Sequence, residues 1–242
     1  MIPKTIHYIW LGGKPKSKLT EVCINTWKRN LPNYKIIEWN ESNLDLQNLC
    51  NENRFLKKCV ELKLWAFVSD YLRLWVLCNK GGIYLDTDVE VLKTFDDLLN
   101  ESVFMGYEAN NYIGTAVIGA EKDNKLVKRL LDFYEKDIWN VDFINNPIIF
   151  RYLMEREPLV FSDCRICPQN YFSPYEPQKK VDGKVETEDS YTIHWYTQNW
   201  NMNRKGYVFI NTKHIKNPMK KALEIIRKNI GYQNKLIQSR NK

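Results

Sequence analysis

Two carboxylates one residue apart, Asp86 and Asp88, close a short apolar run, Ile83-Tyr84-Leu85, that follows the glycine pair Gly81-Gly82. Apolar residues after Gly-Gly read as a buried strand. An Asp-x-Asp at the exit of such a strand places hard oxygen ligands where the backbone leaves the core. Such ligands suit Mg²⁺ or Mn²⁺, with a bound diphosphate completing the coordination. A surface turn also produces Asp-x-Asp, but it needs no buried strand before it. Tyr84, two residues before Asp86, shares its face of the strand.

A second constellation lies just upstream in Ser69-Asp70-Tyr71-Leu72-Arg73. Asp70 and Arg73 are three apart on a helix that is otherwise apolar, so this pair is expected to be buried and to need partners. Arginine suits a diphosphate, and aspartate suits sugar hydroxyls. Late in the chain, His194 sits in the alternating run Tyr191-Thr-Ile-His-Trp195. A lone strand histidine is more often a core residue than a ligand. His7 reads as structural. Glu108, after Met105-Gly-Tyr, is a further carboxylate that follows a predicted strand, and if the chain transfers a group it is a candidate for the acceptor side only. Cys164 and Cys167 form an isolated pair with no further zinc ligands at a suitable spacing, and all six cysteines read as free thiols.

These residues must be positioned by elements the pattern also predicts. Strands are expected at residues 5–10, 34–39, 83–85, 89–92, 103–107, 115–119 and 191–195. Helices are expected at 17–29, from about 62 to 79, at 125–136, at about 146–155 and at 219–230. Alternating strands and helices predict an α/β domain with a mostly parallel central sheet, whose ligands collect at the carboxyl ends of the strands. Trp10-Leu-Gly-Gly and Asp86-Thr-Asp88 both lie at such ends.

The chain has 242 residues, 44% of them hydrophobic and eight of them tryptophan, enough for one sizeable core. No apolar run is long enough to span a membrane, and the N-terminus lacks the layout of a signal peptide, so a cytoplasmic protein is expected. The net charge of +7 is concentrated after residue 212, where nine basic residues stand against Glu224 alone. Residues 1–212 are therefore expected to form the catalytic domain and 213–242 a basic C-terminal helix. Met219, Ala222, Leu223, Ile226 and Ile230 recur at helical spacing there, an arrangement suited to peripheral contact with anionic lipid at the inner face of the plasma membrane. Nucleic-acid binding is disfavoured, because the tail lacks interleaved aromatics.

The segment from Ala66 to Val89, AFVSDYLRLWVLCNKGGIYLDTDV, resembles the hallmark of glycosyltransferase family 32. That family includes capsular-polysaccharide glycosyltransferases and yeast α-mannosyltransferase relatives, and it shares its DXD region with the clostridial glucosylating toxins. The opening Ile2-Pro-Lys-Thr-Ile-His-Tyr-Ile-Trp10 and the late His194 with Trp200 are similar to the same family's start and end. Leu77-Cys78 departs from the family's usual Leu-Tyr.

The resemblance implies a GT-A fold with a Rossmann-like sheet, a nucleotide-sugar donor (a UDP-sugar favoured), Mn²⁺ or Mg²⁺, and retention at the anomeric carbon. The acceptor would be a glycan or lipid-linked saccharide, as in capsule synthesis. It implies that Ile9, Trp10 and Trp200 line the donor site, Trp10 against the nucleobase. Asp70 and Arg73 would meet the sugar and phosphates, Tyr84 and Asp86 would hold ribose and sugar, and Asp88, with His194 and Asp86, would bind the metal. Two other readings compete: a binding protein that keeps the site without turnover, and a metal phosphohydrolase, which would bring more ligands than three histidines allow.

Overall fold

The structure, a computed structural model, describes residues 1–108, 112–180, 182–197 and 202–240, the last seven by backbone alone. In chain order it forms β1 (Thr5–Ile9), α1 (Lys18–Asn30), β2 (Lys35–Trp39), α2 (Leu46–Glu52), α3 (Arg54–Glu61), α4 (Trp65–Lys80), β3 (Gly82–Leu85) and β4 (Val89–Val91). There follow β5 (Val103–Tyr107), β6 (Ile113–Ala120), α5 (Lys125–Glu135), α6 (Asn146–Arg156), β7 (Cys164–Cys167), α7 (Gln169–Phe172), β8 (Thr192–His194), α8 (Arg204–Thr212) and α9 (Pro218–Arg240).

Six strands form the central sheet in the order β2-β1-β3-β6-β5-β7. Every neighbouring pair is parallel except the two involving β6, so β6 alone runs against the rest. The mostly parallel α/β sheet expected from the sequence is therefore present. Side-chain alternation splits the core between its two faces. Ile6, Tyr8, Ile83 and Leu85 pack with Trp27, Phe95, Phe104 and Tyr191 on one face. Ile9 and Tyr84 pack with α3, α4, α5 and α6 on the other.

The glycine pair has the tight geometry its position suggested. Gly81 and Gly82 both have positive φ, at 65° and 106°, where only glycine is unstrained. A Cβ on Gly82 would lie 2.7 Å from the Thr5 carbonyl and 2.8 Å from the His7 ring. His7 itself ties β1 to β2 and to the turn between α4 and β3. Its Nδ1 accepts from Trp39 Nε1 at 3.0 Å and its Nε2 meets the Gly81 carbonyl at 2.9 Å. Burial pushes its pKa down to about 4, so it is held neutral, as a structural histidine should be.

A separate antiparallel ribbon, β4 with β8, carries the second aspartate. Its outer edge is satisfied by α1, which is capped at its N-terminus by Ser17. Trp27 Nε1 donates to the Val89 carbonyl, Thr26 Oγ1 accepts from Val91 N–H, and Asn30 Nδ2 donates to the Val91 carbonyl. Buried backbone groups must be paired, and these three bonds fix the ribbon against the helix.

Short helices α2, α3 and α8 carry no sequence expectation. Asn53 ends α2 and caps α3, and Lys63 at φ 54° breaks the chain before α4, which therefore starts at Trp65 and not near residue 62. Lys213, counted with the basic tail, is in fact buried: its ammonium caps the carbonyls of Ile138, Val141 and Phe143 and so ties the end of α8 to the loop before α6. All six cysteines are free. Among the described residues no helix is long and apolar enough to cross a membrane.

Candidate active site

Helix α4 places Asp70 and Arg73 under the carboxyl edge of the sheet. Both are buried. Arg73 Nη2 meets Asp70 Oδ1 at 2.9 Å and Asp86 Oδ1 at 3.2 Å, while Nη1 donates to Asp86 Oδ2 at 3.2 Å. The same Nη1 donates to the Thr115 carbonyl at 2.6 Å and to Thr115 Oγ1 at 3.2 Å. One guanidinium thus joins α4, the end of β3 and β6, using the planar fork that distinguishes arginine from lysine. Its carbon centre also lies 4.6 Å from the middle of the Tyr84 ring. Tyr84, fully buried, donates to Asp86 Oδ1 at 2.8 Å, which bears out the shared face predicted for the two residues.

Asp70 is only partly satisfied. Its Oδ2 is buried without a hydrogen-bond partner. Burial raises its pKa to about 6, tempered by Arg73 and reinforced by Asp86. A buried, unpaired carboxylate oxygen is costly, and a donor hydroxyl would satisfy it. Asn146 on α6 steadies this part of the site: it donates to the Asp70 backbone carbonyl at 3.3 Å and accepts from Tyr134 Oη at 2.6 Å.

Asp88 stands at the mouth of the ribbon. Its Oδ2 accepts from Thr197 N–H and Oγ1, both at 2.8 Å, and its Oδ1 lies 3.4 Å from His194 Nε2. Burial works to raise its pKa, but the bonds from His194 and Thr197 outweigh it and hold the carboxyl well below the usual range. The pairing of Val89 with His194 across β4 and β8 brings the histidine beside the aspartates. Asp86, Asp88 and His194 each offer one ligand atom within 4.8 Å of the others. His194 Nδ1 is buried and unpartnered, and the ring lies against Tyr196 with centroids 3.9 Å apart. Two carboxylates and an imidazole at this spacing fit a divalent cation of the Mn²⁺ or Mg²⁺ class.

The residues matched to a known family coincide with this geometry. Residues 17–105, which include α1, α4 and both aspartates, match the family described as the glycosyltransferase sugar-binding region containing DXD motif. Residues 17–105 are thus similar to a DXD-containing glycosyltransferase sugar-binding region. Over 166 residues it is 28% identical to Subversion of eukaryotic traffic protein A of Legionella pneumophila, a match covering 56% of this chain and 25% of that protein. It spans less than half the length of the curated relatives it matches.

Among solved structures, PaToxG glycosyltransferase superposes with a TM-score of 0.51 at 21% identity, over 65% of this chain and 70% of that one. The UDP-bound glycosyltransferase domain of the YGT toxin superposes with a TM-score of 0.51 at 11% identity, over 95% and 89%. The fold is that of the GT-A glycosyltransferases.

Six of the sequence-predicted site residues converge: Asp70, Arg73, Tyr84, Asp86 and Asp88 from the matched residues, and His194 from β8 beyond them. Trp10 lies apart from them at the end of β1, where its Nε1 donates to the Lys14 carbonyl at 2.8 Å and Lys16 Nζ sits 5.5 Å from the ring. Ile9 is buried, its side chain in the core beneath. Trp200 lies outside the described residues. Thr115, Asn146, Tyr196 and Thr197 complete the site without having been singled out from sequence. Their contribution depends on pairings across the sheet and ribbon, which no local pattern announces.

Proposed function

We propose that the protein is a retaining, metal-dependent glycosyltransferase that moves a hexose from a nucleotide sugar, with UDP favoured, to a glycan or lipid-linked saccharide. Capsule or other surface-polysaccharide synthesis is the setting this reading favours, on the cytoplasmic side of the membrane. The observation that carries it is the placement of Asp86, Asp88 and His194 within 4.8 Å of one another, beside the Arg73–Asp70 pair. The UDP in the YGT toxin domain of the same fold supports the choice of nucleotide.

In this reading Asp88, Asp86 and His194 would hold the cation, which would neutralise charge developing on the departing diphosphate. The unpaired Asp70 Oδ2 accepts a hydrogen bond from a hydroxyl of the transferred sugar. Arg73 keeps Asp70 and Asp86 in place, and Tyr84 orients Asp86. Trp10, with Ile9 behind it and Trp200 beyond the described residues, is assigned to the nucleotide end.

We assign front-face substitution. The acceptor oxygen bonds to the anomeric carbon as the carbon–phosphate-oxygen bond breaks on the same face, and the acceptor proton passes to the leaving diphosphate. The test is turnover with a panel of UDP-sugars and Mn²⁺, followed by NMR of the product. An α-linked product from an α-donor is the expected result. A β-linked product excludes retention, and a trapped glycosyl adduct on any carboxylate excludes the front-face route.

A lipid-linked acceptor gives α9 a role. Met219, Leu223, Ile226 and Ile230 are between 57% and 75% exposed and line one side of the helix, with Lys220 and Arg227 beside them. That surface suits anionic lipid. In flotation with phosphatidylglycerol vesicles the protein should rise with the lipid, and Leu223→Glu with Ile226→Glu should leave it at the bottom. Equal recovery of both proteins with the vesicles would remove this assignment.

A further inference from the structure

The carboxylate of Glu108 has no task in the arrangement described so far. Among the described residues its side chain makes no hydrogen bond, although its backbone N–H donates to the Tyr112 carbonyl at 2.7 Å. Strand β5 runs parallel to β3, with β6 between them. Glu108 therefore leaves β5 at the same edge of the sheet where Asp86 leaves β3, about 10 Å away at ordinary strand spacing. Trp10 leaves β1 on the opposite flank of β3. Along that edge the order is Trp10, the aspartates, then Glu108.

The register sharpens this placement. Asp86 N–H bonds to the Ala116 carbonyl, whereas Glu108 is level with Tyr112, so β5 carries Glu108 past the aspartates. Its side chain then turns back over β6. A Cβ built on Gly114 would lie 3.4 Å from both Glu108 Cβ and Glu108 Oε2, so the carboxylate lies over Gly114 at contact distance. The next residue, Thr115, is the one whose carbonyl holds Arg73. Burial raises the Glu108 pKa to about 7; His194 and Arg73 oppose the rise and Asp86 adds to it. All three act on this one carboxyl, which lies within the field of the site.

We infer that Glu108 is a catalytic residue on the acceptor side: its carboxylate accepts a hydrogen bond from the acceptor hydroxyl and aims that oxygen at the anomeric carbon. The bond made and the bond broken are those of front-face substitution, and the proton still ends on the departing diphosphate. The inference rests on the glycosyltransferase reading and adds a residue to it. It follows from the side of the sheet: the nucleotide end and the aspartates occupy the edge from β1 to β3, and Glu108 faces the same centre from β5.

Glu108→Gln keeps the shape and removes the charge, and Glu108→Asp withdraws the carboxylate by one methylene. Both are compared with the wild type in three measurements. These are the Mn²⁺-dependent thermal shift with a UDP-sugar panel, hydrolysis of the donor to UDP, and transfer to p-nitrophenyl glycosides. The expected result for Glu108→Gln is an unchanged thermal shift, transfer reduced about 100-fold, a size typical of a misplaced reacting oxygen once the charge-assisted bond that aims it is lost, and hydrolysis reduced less than transfer. Glu108→Asp should recover part of the transfer.

Transfer equal to wild type in Glu108→Gln would overturn the inference. Loss of the donor-dependent thermal shift would also overturn it, by moving Glu108 to the donor. A wild-type protein that neither shifts with any nucleotide sugar nor hydrolyses one would instead defeat the underlying reading, and the inference with it.

Discussion

Replacing Arg73 with alanine should lower the stability of the protein by about 3–5 kcal/mol, the range found when one partner of a buried ion pair is removed. The guanidinium is the cation that meets both Asp70 and Asp86, at 2.9 and 3.2 Å. Without it, two buried or half-buried carboxylates face each other, and the Thr115 carbonyl loses its donor. For a domain of this size the loss corresponds to a melting temperature lower by roughly 10 °C. The penalty should shrink at pH 5. Asp70 already has its pKa raised to about 6 with Arg73 present. Removing the arginine raises it further, so acid neutralises the carboxyl and relieves the repulsion. Arg73→Lys keeps the charge but has no fork to span three elements, and should recover only part of the loss. Urea denaturation of the three proteins at pH 5 and pH 8 checks this. An Arg73→Ala protein as stable as wild type at pH 8 would mean the guanidinium is not the keystone of the site.

The second large effect falls on activity. Asp88→Asn keeps an oxygen able to accept from Thr197, so the protein should still fold, at a cost in stability because the folded state favours the ionised carboxylate. It loses the negative charge that the depressed pKa shows to be favoured here. Turnover should fall by at least about 10³-fold, or roughly 4 kcal/mol of barrier, because that charge is lost from the triad assigned to the cation. Asp86→Asn should behave differently. Asp86 is bonded to Tyr84 and Arg73, so its loss should disturb both stability and donor binding. Steady-state kinetics with a UDP-sugar and denaturation curves for both variants separate these roles. Asp88→Asn turning over at the wild-type rate would exclude Asp88 as a metal ligand.

Much of this site could be read from the chain because its signals are local. Gly81-Gly82 needed two positive φ angles, Tyr84 and Asp86 had to share a strand face, and Asp70 with Arg73 had to share a helix face. All three are consequences of spacing over a few residues, and all three are present in the structure. The strands at 89–92 and 191–195 were also legible as strands. Their pairing into a ribbon was not, because it joins residues about a hundred positions apart, and it is this pairing that brings His194 to Asp88.

The reversed direction of β6 was hidden for the same reason, and with it the Thr115 carbonyl that anchors Arg73. Lys213 illustrates the limit most simply. By composition it opened a basic tail, yet three carbonyls some seventy residues earlier in the chain bury it. Helices α2, α3 and α8 are too short for periodicity to show, and their caps, Asp45, Asn53 and Asn203, are residues equally common in turns.

The central claim is that Asp86, Asp88 and His194 assemble a cation site that a nucleotide diphosphate completes. Calorimetric titration of the chelator-treated protein with UDP, with and without Mn²⁺, tests it most directly. Linkage requires each ligand to tighten the other by the same factor. The account predicts that UDP binds at least about tenfold more tightly with Mn²⁺ present, and that this gain disappears in Asp88→Asn. UDP binding of equal affinity with and without the metal, or a gain that survives intact in Asp88→Asn, would contradict it.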